Sequence, residues 1–134
     1  MQRTICAMSI RVDLDELRTR IAEFGAKVLL VSVKRGGMPH VVSVAPSFSG
    51  DDLVMSVGRS TRANVEASPT VTMVWPGPGE EYCLLVDGLA RRVGDTESEL
   101  IAVEPTGAVL HRLAGAPADL PSCVPLDERG ITEP

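Results

Sequence analysis

Aromatic side chains are scarce in this chain: two Phe, one Trp and one Tyr among 134 residues, or 3%. A core must therefore be built from Val, Leu, Ile, Ala and Met, and the β-branched share of that set favours sheet. Cysteine is also thin. Cys6, Cys83 and Cys123 are odd in number, far apart and without a CxxC pair. That argues against a disulfide framework or a zinc site and suits a reducing compartment. Positive charge is in deficit, with 13 Lys and Arg against 18 Asp and Glu for a net charge of -5. Nucleic-acid binders draw their affinity from neutralising phosphates, so no nucleic-acid partner is expected. No apolar run approaches the length of a membrane span. The first residues lack the apolar h-region of a signal peptide. The expectation is a cytoplasmic protein with no membrane partner. Only two histidines occur, His40 and His111. Neither stands in an HxxxH or HExxH spacing, so no metal site is expected.

What is present is ordinary for a globular domain: 44% hydrophobic and 23% charged residues. The length suits one domain with one core. Leu14, Leu17, Ile21 and Phe24 recur at helical steps and predict a helix over Asp13 to Phe24. Asp13 and Glu16 are placed for a capping box and Gly25 for the stop. Strands are predicted at Ala26 to Val33, His40 to Phe48 and Leu53 to Val57, joined by turns into an antiparallel meander. Pro46 predicts a bend or an edge within the second. Ser60 to Ala67 reads as a short helix opened by a capping Ser or Thr and stopped by Pro69. Further strands follow at Thr70 to Trp75 and Tyr82 to Val93, with Gly88 a candidate bulge. A last strand falls within Leu100 to Leu113. Residues 1–113 are thus expected to form the domain and 114–134 an irregular tail. Six mostly antiparallel strands, a leading helix and one inserted helix make the fold class mainly β, a small barrel.

The stretch richest in chemistry is Gly58-Arg59-Ser60-Thr61-Arg62-Ala63-Asn64. It follows a strand and opens a helix, where unpaired N–H groups and the positive dipole end favour an anion. Ser60 and Thr61 add hydroxyls, and Arg59 and Arg62 add the geometry that suits a phosphate. The same composition also serves a simple capped helix start with solvated arginines. It matches no Walker or dinucleotide glycine motif.

The segment MPHVVSVAPSFSGDDLVMSVGRSTRANVEASPTVTMVW, followed by YCLLVDGLARRV, resembles the pyridoxamine 5'-phosphate oxidase-like family of FMN-binding split β-barrels. The likeness runs from about Leu14 to Leu113. It lies in the order of a Pro-His-Val strand, a second strand, an Arg/Ser/Thr-rich turn, Asn64-Val65 and Ser68-Pro69. The resemblance implies a six-stranded antiparallel split barrel and a homodimer with cofactor sites at its interface. It implies that the turn of Arg59, Ser60, Thr61 and Arg62 holds the cofactor phosphate, with Asn64 also among the cofactor-binding residues. It implies that Val42, Ser43, Val44 and Ala45 run beside the flavin ring. Many relatives carry a Lys where Thr61 stands. The C-terminal Arg and His segment of true pyridoxamine phosphate oxidases has no match here. Oxidation of that substrate is therefore not expected.

The cofactor implied is FMN, with the deazaflavin coenzyme F420 as the alternative. Its long acidic tail would want basic residues such as Lys27, Lys34 or Arg35. No nucleophile or acid–base constellation is visible, and GxSxG is absent. That fits an oxidoreductase whose cofactor carries the hydride chemistry on a small-molecule substrate. It also leaves open a non-catalytic cofactor-binding dimer or a cofactor-free barrel.

Overall fold

The computed structural model describes residues 3–6, 9–116 and 123–126. In chain order the elements are β1 (Arg3–Cys6), β2 (Ser9–Val12), a 3-10 turn (Leu14–Glu16), α1 (Leu17–Phe24), β3 (Val28–Val33), β4 (Pro39–Val44), β5 (Ser47–Ser49), β6 (Asp52–Ser56), α2 (Arg59–Ala67), β7 (Thr70–Trp75), β8 (Tyr82–Arg92), β9 (Leu100–Arg112) and β10 (Cys123–Leu126). Eight strands form one antiparallel sheet in the order β4-β3-β7-β8-β9-β6-β5, with β2 on the far half of β9. The sheet curls into a half-barrel with α1 and α2 beside it, a split β-barrel.

Alternation decides which face is inside. Val28, Leu30 and Ser32 of β3 point inward with Val71, Met73 and Trp75 of β7 and Leu84 and Val86 of β8, all buried. Leu53 and Met55 from β6 and Ile101 and Val103 from β9 complete the core. The scarce aromatics all go there: Trp75 is fully buried, and Phe24, Phe48 and Tyr82 pack against the cluster. Gly88 sits at a register shift on β8. A Cβ there would lie 2.5 Å from Val103 Cγ1 and 2.8 Å from the Glu104 carbonyl oxygen. Only glycine lets β9 approach so closely, but the extra residue is Thr106 of β9, skipped between the Asp87–Gly107 and Gly88–Pro105 pairs, so the bulge predicted at Gly88 lies on the strand opposite it.

Several sequence expectations are corrected. The sheet has eight strands instead of six. The strand predicted from His40 to Phe48 is two, β4 and β5, parted at Ala45-Pro46. Proline cannot donate to a ladder, and here the chain passes from one end of the sheet to the other. The meander is therefore broken: β6 pairs with β5 and β9, and not with β4. β9 runs unbroken through Pro105 and Gly107 to Arg112. The leading helix begins as a 3-10 turn, and Asp13 caps it with no side-chain bond. Most of the predicted tail lies outside the described residues. Within it Cys123–Leu126 pairs antiparallel with β1.

Candidate functional site

β6 ends at Ser56, and the chain turns through Val57 and Gly58 into α2. Gly58 is the N-cap, so no side chain caps the helix, and the predicted Ser or Thr cap is not used. The first N–H groups of α2 thus keep their capacity for a ligand. A Cβ at position 58 would meet no other protein atom within 4 Å, so the space around it is open.

That room belongs to an open groove of about 660 Å³ lined by Val42, Ser43, Val44, Ser56, Val57, Gly58, Arg59, Ser60, Arg62 and Glu99. Of the nine residues predicted for the site, six line this groove: Val42, Ser43 and Val44 on one wall, Arg59, Ser60 and Arg62 on the other. β4 ends the sheet order, so its outer edge carries backbone groups that no described strand takes. Ala45 follows that edge and is exposed outside the groove lining. Thr61 is buried and turned away from the groove.

Asn64 is buried as well. Its Nδ2 donates to Ser32 Oγ at 3.2 Å and lies 3.3 Å from His40 Nδ1. It ties α2 to β3 and to β4, which forms the opposite wall. Asn64 therefore sets the width of the groove instead of lining it. The same contact accounts for His40, whose ring is occupied in holding Asn64.

The arginines carry the charge of the site. Arg62 donates to the Val57 carbonyl oxygen, which fixes its guanidinium at the helix start. Among the described residues neither Arg59 nor Arg62 pairs with a carboxylate. Arg91 and Arg92 differ: Arg91 pairs with Asp52 and Arg92 with Glu66. In a chain of net charge -5, two arginines without acidic partners beside a helix N-terminus form a place for an anion. The lining holds no His, Cys or Tyr. No group of His, Cys, Asp and Glu among the described residues could hold a metal. No described helix is long and apolar enough to cross a membrane.

Ser56 and Glu99 were not legible as site residues. They meet across 43 positions, Ser56 Oγ donating to Glu99 Oε2 at 3.4 Å, because β6 lies on β9 with Ser56 opposite Leu100. Only the strand pairing reveals this, and no local motif announces it.

No family model and no curated protein matches the chain. Solved structures do share its fold. An F420 reductase is 20% identical, with a TM-score of 0.52 over 64% of this chain and 90% of that one. The FAD binding protein from Mycobacterium smegmatis is 15% identical, with a TM-score of 0.55 over 77% and 98%. A candidate pyridoxamine 5'-phosphate oxidase from Listeria innocua is 18% identical, with a TM-score of 0.54 over 73% and 98%. The split-barrel fold expected from the sequence is thus shared with flavin- and deazaflavin-related proteins. One fold hosts several activities among them, so function must be argued from the groove.

Proposed function

We propose that this protein is a flavin-dependent oxidoreductase that acts as a homodimer on a small molecule. The observation that carries this reading is the pairing of two arginines, free of carboxylates, with an uncapped helix start and an unpaired strand edge across one groove. The residues fit a phosphorylated, planar cofactor. Arg59, Arg62, the Ser60 hydroxyl and the first N–H groups of α2 hold the phosphate. The outer edge of β4 at Val42 to Val44 supplies backbone donors and acceptors to the rim of a heterocycle. Bound flavin supplies hydride exchange, and the protein supplies position and charge. The lining offers no His, Cys or Tyr for acid–base work, which agrees with that division of labour. FMN is the cofactor this arrangement favours, and the deazaflavin F420 is the alternative.

The outer face of the sheet supports a dimer. Val41, Val31, Leu29, Val74, Leu85 and Leu89 lie on one face by register. Val41 is 53% exposed and Leu89 43%. Exposed apolar residues gathered on one sheet face, here interrupted by the Thr72–Asp87 hydrogen bond, mark an interaction site, and a second copy offers the same face.

The test is titration with FMN. Each of Arg59→Ala and Arg62→Ala is expected to weaken binding roughly tenfold or more, because charged hydrogen bonds contribute about 1.5–3 kcal/mol. The fold should be unchanged by circular dichroism. Equal affinity in the double variant removes this groove as the phosphate site. Reduction of the bound flavin by a nicotinamide, followed by turnover with an acceptor, identifies an enzyme. Binding without turnover identifies a storage or sensing module.

A further inference from the structure

Around the half-barrel, β6 has β9 on one side and β5, continuing from β4, on the other. The groove follows this order. Val42 to Val44 flank the end of β6 from one side, the start of α2 rises from that end, and Glu99 flanks it from the opposite side. A ligand whose ring lies on β4 and whose phosphate lies at the start of α2 has Glu99 on the side of its phosphate away from the ring.

That far end is acidic and firmly built. The loop between β8 and β9 carries Asp95, Glu97 and Glu99 within five residues. Arg92 holds it by donating to the carbonyl oxygens of Thr96 at 3.0 Å and Ser98 at 3.1 Å, while its other nitrogen pairs with Glu66 of α2 at 2.9 Å. The Glu97 N–H donates to Asp95 Oδ1, and the Val57 N–H donates to the Glu99 carbonyl oxygen at 2.9 Å. Glu99 is thus anchored by its backbone to the turn that leads into the phosphate cradle. Its carboxylate accepts a long hydrogen bond from Ser56 Oγ at 3.4 Å and forms no ion pair with Arg59 or Arg62. Arg92, the basic residue on this side, is already engaged and offers nothing to an anionic extension.

We propose that Glu99 is a specificity-determining residue that closes the phosphate end of the groove to anions. It admits a terminal phosphomonoester and disfavours a ligand that carries further negative charge beyond its phosphate. This rests on the flavin reading above and selects within it: FMN, which ends at its phosphate, over a deazaflavin with an oligoglutamate tail. The effect is Coulombic repulsion near the surface, so it weakens as salt shortens the Debye length.

The experiment is isothermal titration of the full chain with FMN and with oligoglutamyl F420. The wild-type chain is expected to prefer FMN. Glu99→Gln should narrow that preference about fivefold and Glu99→Lys further, mainly by tightening F420, since each added charge interaction at a surface is modest. Raising the salt to half-molar should narrow the wild-type preference in the same direction. Both variants should fold, because Glu99 contributes its backbone to the structure, and matched thermal midpoints check this. A preference unmoved by both variants overturns the role of Glu99. If Arg59→Ala still abolishes FMN binding in that case, the flavin reading stands and only this inference falls. A wild-type chain that binds neither cofactor overturns both.

Discussion

Two buried polar residues show what single side chains do here. Ser32 is fully buried on β3, and its hydroxyl receives the Nδ2 of Asn64. Truncating Asn64 to Ala leaves that hydroxyl without this donor and should cost about 1–3 kcal/mol. Urea denaturation would measure it, and a loss below half a kilocalorie would show that the contact carries little. The same variant should weaken FMN binding less than either arginine variant does, because Asn64 acts on the wall and not on the ligand. Cys83 offers a pH-dependent case. Burial raises its thiol above the ordinary range, partly offset by a backbone hydrogen bond. The folded chain therefore keeps the proton that the unfolded chain releases once pH passes the ordinary thiol pKa. Stability from this group is present below that value and declines above it. Cys83→Ser should flatten the alkaline limb of a stability–pH curve. The native thiol should react slowly with a disulfide reagent near neutral pH.

At the scale of elements, alternation was the dependable signal. Thr70 to Trp75 is a strand with the expected bounds, because Val71, Met73 and Trp75 fall on one face and Thr70, Thr72 and Val74 on the other. Gly88 was recognisable as the place where the sheet is irregular, although the bulged residue is Thr106 across from it, and its close approach to Val103 gives a sharp expectation. Gly88→Ala should destabilise by about 1–3 kcal/mol through overpacking, and the thermal midpoint should fall accordingly. An unchanged midpoint would mean that β9 yields more readily than its contacts suggest. The misses have physical causes. Ser9–Val12 is a strand only because β9 is long enough to pair with β6 at one end and β2 at the other. Four residues cannot declare such a partner on their own. The Asp13–Glu16 pattern suggested a capping box, yet the chain enters through a 3-10 turn with a backbone bond from the Glu16 N–H to the Asp13 carbonyl oxygen.

For the whole molecule, the split barrel was legible in the order of its strands, and the cationic wall of the groove in Arg59 to Arg62. The acidic far wall was not, since Glu99 reaches the site only through tertiary pairing. The dimer carries its own expectation. Val41→Glu with Leu29→Glu should place like charges on the outer sheet face and shift sedimentation towards the monomer, leaving the core residues Leu30 and Val28 untouched. A wild-type chain that sediments as a monomer at micromolar concentration would remove the dimer from the proposal. The pairing of β9 with β8, β6 and β2 also has a bearing on how the molecule is made. The hairpin of β3 and β4 closes locally, but β6 must wait some 45 residues of synthesis before β9 leaves the ribosome to receive it. Long-range pairings of this kind form slowly. The groove, which needs β4, β6, α2 and Glu99 together, is then among the last features of the nascent chain to appear. A cofactor arriving there cannot guide the early steps of folding; it acts as a latch on a finished barrel, delaying its opening without hastening its assembly.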